Sequence, residues 1–345
     1  MTRLNARISP ITVVDAARID TVETARRLLS ASGFPTDELE PVESVANRVW
    51  MTHKHVVRIS SGRFRNSLVH EQRVLALLPE SVPHANVAAA GQMDDREWQI
   101  LERIPGVPLL HTWLRLDQSR RRRAIAQLAE IMRALHRAPL PEGFHNPWLE
   151  DALRADGHPE NALHAPPHQY RLLIEAARRL PWTDAELVSS VESFIAERLD
   201  AFAGDVPVLV HTDLHFANLL WHEDGISGVI DFEGAQPQAA DMELDTILRF
   251  TSDPRQSLTL GQHTAPTAAP TAASLAEVPV WLDTEYPELV AHPHFAERLD
   301  VYEALWHLVQ LHHAHVDSSR EGRQDRLAHL IERPGRRFQR LSSRA

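Results

Sequence analysis

The chain has 345 residues, 43% hydrophobic and 24% charged, an ordinary globular composition long enough for two lobes that each bury a core. Its formal charge of −11 argues against nucleic acid as a partner, while leaving room for a local basic pocket that holds phosphate. Zero cysteines exclude disulfides, thiolate zinc sites and cysteine nucleophiles together, and fit a reducing compartment.

The opening apolar run is interrupted by Pro10 and closed by Asp15, too brief for a secretory core, and no later stretch approaches the roughly 18 apolar residues of a membrane span. A cytoplasmic protein with no membrane partner is expected. Apolar spacing at Val14, Ala17, Ile19, Val22, Ala25, Leu28 and Leu29 predicts a helix over 11–32 that ends near Gly33, so residues 1–40 read as a helical N-terminal extension. Two β-like runs, 48–51 and 55–59, flank the polar turn 52–54 and predict a hairpin. A helix follows over 68–78, stopped by Pro79, and two further strand-like runs lie near 87–91 and 97–102. Ile104-Pro105-Gly106 breaks the pattern, which bounds a first lobe at 41–103.

Beyond it the chain turns helical. Ile125, Leu128, Ile131, Met132 and Leu135 recur at helical spacing over 121–136, with more helix near 169–180, 184–203, 294–315 and 324–332. Residues 104–345 are therefore expected to form a mainly helical second lobe. The small-residue stretch 254–278 is expected to bury little surface and to form a loop, and the Arg-rich end, 333–344, reads as a solvated face. His136, Trp113 and Trp221 read as core or helix-end residues.

The most informative segment is Val208-Leu209-Val210-His211-Thr212-Asp213, with Asn218 five residues after the aspartate and a second apolar run that ends on Asp231. Phosphoryl transfer asks for positioned, charge-compensated phosphates and an oriented nucleophile. Hard carboxylate and amide oxygens suit Mg2+, and an aspartate beside the acceptor hydroxyl can take its proton. Asp213 is thus the candidate base, and Asn218 and Asp231 the candidate metal ligands. A metal-dependent hydrolase using His211, Asp213, His215 and His222 is the alternative from another class, but it leaves Asn218 and Asp231 unexplained. His211 itself reads better as a structural histidine bonded to nearby backbone.

The pattern H-x-D-x-x-x-x-N followed by Ile230-Asp231-Phe232-Glu233 resembles the catalytic loop and metal segment of the aminoglycoside phosphotransferase and choline kinase family. The resemblance covers roughly 41–250 and implies an α+β, protein-kinase-like bilobal fold, with an antiparallel N-terminal lobe and a larger helical lobe carrying the catalytic loop and acceptor site. It implies that Arg58 meets the nucleotide phosphates, that Glu71 is its ionic partner, and that the linker through Glu102 and Ile104 meets the nucleobase. It also implies that an aspartate within 241–245 anchors the catalytic loop. Arg58 stands where protein kinases have lysine, which exchanges a point charge for a planar fork. The candidate nucleotide loop, 43–47, contains no glycine; Ser44 and Asn47 are its candidate contacts. The implied activity is transfer of the γ-phosphoryl of ATP or GTP to a small-molecule hydroxyl, with an antibiotic as leading acceptor and choline, homoserine or a sugar as the alternative. Acidic residues at 241, 243, 283, 285 and 288 are candidate attractors of a cationic antibiotic.

Overall fold

The computed structural model describes residues 21–44, 47–62, 67–153, 165–254, 270–312 and 317–337. The first described helix, α1 (Val22–Ala31), starts where Thr21 Oγ1 accepts from Thr24 N–H. It stops at Gly33, whose φ of +78° lets Phe34 N–H return to Leu29 O at 2.9 Å. The first half of the helix expected over 11–32 lies outside the described residues. Strands β1 (Glu40–Val42), β2 (Asn47–Met51), β3 (His55–Ser60), β4 (Val87–Met93) and β5 (Arg96–Glu102) form an antiparallel sheet in the order β1-β2-β3-β5-β4. Ala25, Leu28 and Leu29 of α1 are buried against Trp50, Val57, Ile59, Trp98 and Ile100 of this sheet, so the N-terminal helix completes the small lobe's core. Between β3 and β4, α2 (Ser67–Leu75) has its free N-terminal amides capped by Glu97 Oε2, at 2.9 Å from Leu68 N and 3.4 Å from Val69 N.

The chain crosses to the second lobe through Gly106, at φ +130°. A Cβ there would lie 2.8 Å from both Ser227 Oγ and Trp221 O, so only glycine fits. Strand β6 (Val107–Pro108) then pairs with β8 (Leu219–His222), which also pairs with β9 (Gly225–Val229). After the single turn α3 (Leu109–Thr112), the long helix α4 (Gln118–His136) is capped by Asp117, which accepts from Arg120 N–H at 2.8 Å. Helices α5 (Pro147–Leu153), α6 (Tyr170–Arg179) and α7 (Ala185–Ala196) precede β7 (Val208–Val210), which pairs with β10 (Gln236–Gln238). Helix α8 (Met242–Ser252) follows, then α9 (Val278–Glu285), α10 (Phe295–His312) and α11 (Asp317–Glu332), the last beginning seven residues before its expected start at 324.

The segment 254–278 departs from expectation where it is described. Leu275 and Val278 are fully buried in the core that α4 and α8 build, and Trp113 Nε1–H donates to Ser274 O at 2.9 Å. The Ala-Thr-Pro composition ends just before this apolar pair, which is why it docks; residues 255–269 lie outside the described residues. Among the described residues no helix is long and apolar enough to cross a membrane.

Candidate active site

Strand β7 delivers the loop that begins at His211. Thr212 sits at φ +70°, a left-handed conformation that strains a β-branched residue by about 1–3 kcal/mol. Three bonds hold it there. Its Oγ1 donates to Gly234 O at 3.0 Å, its carbonyl accepts from Thr246 Oγ1 at 2.8 Å, and its N–H donates to Glu243 Oε1 at 3.2 Å. The other oxygen of Glu243 accepts from His211 N–H at 2.8 Å. The loop's anchor is thus a glutamate, where the resemblance implied an aspartate within 241–245. Helical geometry gives the reason: Asp241 and Asp245 lie one turn apart on one face of α8, and Glu243, two residues from each, faces the loop. Asp241 and Glu243 are buried and fully engaged, so they attract no acceptor.

Asp213 follows, with 49% of its side chain open. Asn218 Nδ2 donates to its carbonyl at 2.9 Å and to its Oδ2 at 3.1 Å, and His215 Nε2 lies 3.4 Å from its Oδ1. Burial lowers the His215 pKa, but the Asp213 charge and hydrogen bond, with Asp231, outweigh it and leave it above the ordinary imidazole value. His211 has no ligand capacity left: Nε2 pairs with Ile230 O at 3.0 Å and Nδ1 accepts from Asp213 N–H at 3.3 Å. His222 is paired with Glu223 on the surface. The imidazoles that a hydrolase would need are therefore engaged separately.

Asp231 also has a left-handed backbone, at φ +70°. It lies beside Asn218 because Ile230 N–H donates to Asn218 O at 3.0 Å. Opposite, Arg58 of β3 is 9% exposed and reaches three carboxylates: Nη1 to Glu71 Oε2 at 2.5 Å, Nη2 to Asp231 Oδ1 at 3.2 Å, and Nη2 to Glu233 Oε1. Glu71 is further fixed by Gln99 Nε2 at 2.5 Å and by Phe232 N–H at 3.0 Å. Burial opposes the Arg58 charge, but Glu71, Glu233 and Asp231 raise its pKa well above the ordinary value. Burial likewise raises Asp231, where Arg58 pulls down and Glu71 and Asp213 push up. Glu233, 3% exposed, is pushed up to about 8 by burial against the pull of Arg58.

One guanidinium shared by three carboxylates leaves a surplus of negative charge at the cleft floor, which a divalent cation would offset. The donor set fits Mg2+. The Asn218 amide nitrogen is committed to Asp213, which leaves its oxygen as the ligand, and 46% of the Asp231 side chain remains open. Among the described residues no three His, Asp or Glu side chains form a self-sufficient metal cage. Mg2+ has no need of one, because it takes one or two protein oxygens and completes its shell with phosphates and water.

On the nucleotide side, Ser44 is exposed between β1 and β2. Asn47 is 3% exposed and donates through Nδ2 to Glu233 Oε1, so its amide nitrogen is engaged within the protein. The Glu102 side chain is held by Asn86 Nδ2 at 2.8 Å on the surface. Ile104 covers Gly228, where an added Cβ would meet Ile104 Cδ1 at 2.6 Å. Sequence reasoning gave Gln99 no part in the site, quoted Glu233 in the motif without a role, placed His215 only in the hydrolase alternative and read Glu243 only as an acidic attractor. Glu233 stands two residues from Asp231, the one signal that marks it; a glutamate in a loop otherwise reads as solvated.

A five-stranded antiparallel lobe joined by a short linker to a helical lobe, with the catalytic loop facing the junction, is the bilobal protein-kinase-like class of fold. The sequence model of the phosphotransferase enzyme family, APH, matches residues 38–278; the chain belongs to this family and is a phosphotransferase acting on hydroxyl groups. No curated protein matches it significantly in sequence. Among solved structures, it is similar to a thermostable mutant of aminoglycoside phosphotransferase APH(4)-Ia in a ternary complex with ADP and hygromycin B, with 18% identity, TM-score 0.58, and coverage of 89% of this chain and 97% of that one. ADP-bound aminoglycoside phosphotransferase APH(2'')-Ib gives 17% identity and a TM-score of 0.59 over 94% and 99% of the two chains. The streptomycin-ATP-APH(2'')-IIa ternary complex gives 14% and 0.58 over 95% and 99%. At these identities the likeness is one of fold.

Proposed function

We propose that the protein transfers the γ-phosphoryl group of ATP or GTP to a hydroxyl of a small molecule, and that the acceptor is an antibiotic. The observation that carries the transfer is the half-open Asp213 carboxylate, held by the Asn218 amide one strand away from Asp231 and opposite the shared Arg58 guanidinium. Asp213 takes the proton of the acceptor hydroxyl as its oxygen bonds to the γ-phosphorus and the bond to the β–γ bridging oxygen breaks. Asn218 and Asp231 hold Mg2+, which supplies charge compensation on the phosphates. Arg58, held by Glu71, orients the α- and β-phosphates, and the linker from Glu102 to Ile104 lies against the nucleobase. Nucleotide supply places the enzyme in the cytoplasm. The antibiotic is supported by the hygromycin B and streptomycin bound to proteins of the same fold.

The experiment is phosphate transfer from both nucleotides across a panel of antibiotics, choline, homoserine and sugars, run with wild type and Asp213→Asn. Turnover of Asp213→Asn is expected to fall by about 10²-fold or more with folding and nucleotide affinity retained, since the shape survives and the base does not. Near-normal turnover would remove Asp213 from the chemistry, and transfer to a metabolite alone would replace the antibiotic reading.

A further inference from the structure

Asn47 closes the candidate nucleotide loop and opens β2, yet its amide nitrogen is spent inside the protein. Its Nδ2 and Arg58 Nη2 donate to the same atom, Glu233 Oε1. Glu233 belongs to the second lobe and is fixed there: its carbonyl accepts from Asn146 Nδ2 at 2.9 Å, and the preceding Phe232 N–H is held by Glu71. A single buried oxygen of the helical lobe thus gathers an amide from β2 and a guanidinium from β3 of the small lobe.

We propose that Asn47 and Glu233 form a latch between the lobes that places Arg58 for the phosphates, so that Asn47 acts on the nucleotide through Glu233 without touching it. The functional consequence rests on the kinase reading above; the contact itself does not. Glu233 Oε1 already receives two donors, which makes Glu233 a positioning residue. A buried acceptor with two donors is sensitive to the loss of either one, because the group left behind stays out of water without its partner.

The test is a compensating pair. Asn47→Asp sets a second carboxylate against Glu233, so its nucleotide KM should rise by about tenfold or more, with a smaller drop in kcat, and ADP affinity measured by calorimetry should weaken in parallel. Adding Glu233→Gln turns that contact back into an amide beside a carboxylate, and should bring KM and ADP affinity to within about threefold of Glu233→Gln alone. Asn47→Ala, which adds no charge, should shift both in the same direction by less. If Asn47 touched the nucleotide, or Glu233 held the metal, the two substitutions would add; additivity, or wild-type KM in Asn47→Ala, overturns the latch. Urea unfolding of wild type, both single variants and the pair reads the same coupling without any reaction. Non-additive unfolding energies support the latch even where transfer is never found, an outcome that would sink the kinase reading alone, and additive energies contradict it.

Discussion

In the cleft, one guanidinium is shared among Glu71, Asp231 and Glu233, whereas on the face of α8 turned from the loop three guanidiniums, of Arg298, Arg249 and Arg337, serve the two buried aspartates, with Arg298 also reaching the partly exposed Asp205. Asp241 accepts from Arg298 Nε at 2.6 Å and Nη2 at 3.0 Å, and from Tyr302 Oη at 2.7 Å. Asp245 accepts from Arg249 Nε at 2.8 Å and from Arg337. The pKa values follow this division. Burial opposes ionisation of Asp245, yet Arg337 and Arg249 hold it below the usual carboxylate range, while Asp231 and Glu233 stay above it. A network whose buried carboxylates are offset by guanidiniums, as Asp241 and Asp245 are, serves the fold. One that is left short of positive charge is what the proposed Mg2+ would offset, and the difference in charge balance separates the candidate site from its scaffold.

Arg298 carries the largest share of the α8 network. Removing it leaves Asp241 buried without its cation and takes the same partner from Asp205, so Arg298→Ala should lose about 3–5 kcal/mol in urea unfolding. A loss under about 1 kcal/mol would make the network beneath α8 incidental. Arg58 tests the other side. Arg58→Ala should raise the nucleotide KM by about tenfold or more and lower kcat, and Arg58→Lys should recover part of both, because the charge returns without the fork. Equal kinetics for the two variants would show that charge plays no part.

The smallest effect expected is at Asp300, whose carboxyl accepts from Gly335 N–H at 2.9 and 3.0 Å. Burial pushes it up to about 6 from 3.8, with Gly335 and Arg198 pulling back. Because the folded chain keeps a proton that the unfolded chain releases, stability should fall as pH rises from about 3.8 to about 6, then level off. Asp300→Asn should flatten that slope in urea midpoints taken across the window, and an unchanged slope would assign it to another group.

Much of the site was legible because the catalytic loop is local: His211, Asp213, Asn218 and Asp231 fall within two adjacent strands and the turns that leave them, so their order carries their geometry. Arg58 and Glu71 were legible only through the family resemblance, since a strand arginine and a helix glutamate read equally well as a surface pair. What could not be read depends on long-range burial. Glu243 looks like any glutamate in a first helical turn until α8 is set against the loop. Arg337 looks like part of a solvated tail, yet only 11% of its side chain is exposed and it bonds Asp245 from 92 residues away. Leu275 was masked by the low-complexity stretch before it. In the fold, the strands at 48–51 and 55–59 came through nearly intact, because alternation and a polar turn are local signals.

The charge surplus around Asp231 is what makes the cleft floor a candidate metal-nucleotide site. Calorimetric titration of nucleotide into wild type and Asp231→Ala, with and without Mg2+, tests it directly. Mg2+ should tighten binding to wild type and leave binding to Asp231→Ala unchanged, and the metal-free variant should unfold at the same or a higher urea concentration because surplus charge has been removed. An equal Mg2+-dependent gain in both proteins, together with a destabilised variant, would make Asp231 a structural aspartate and contradict the metal-nucleotide site.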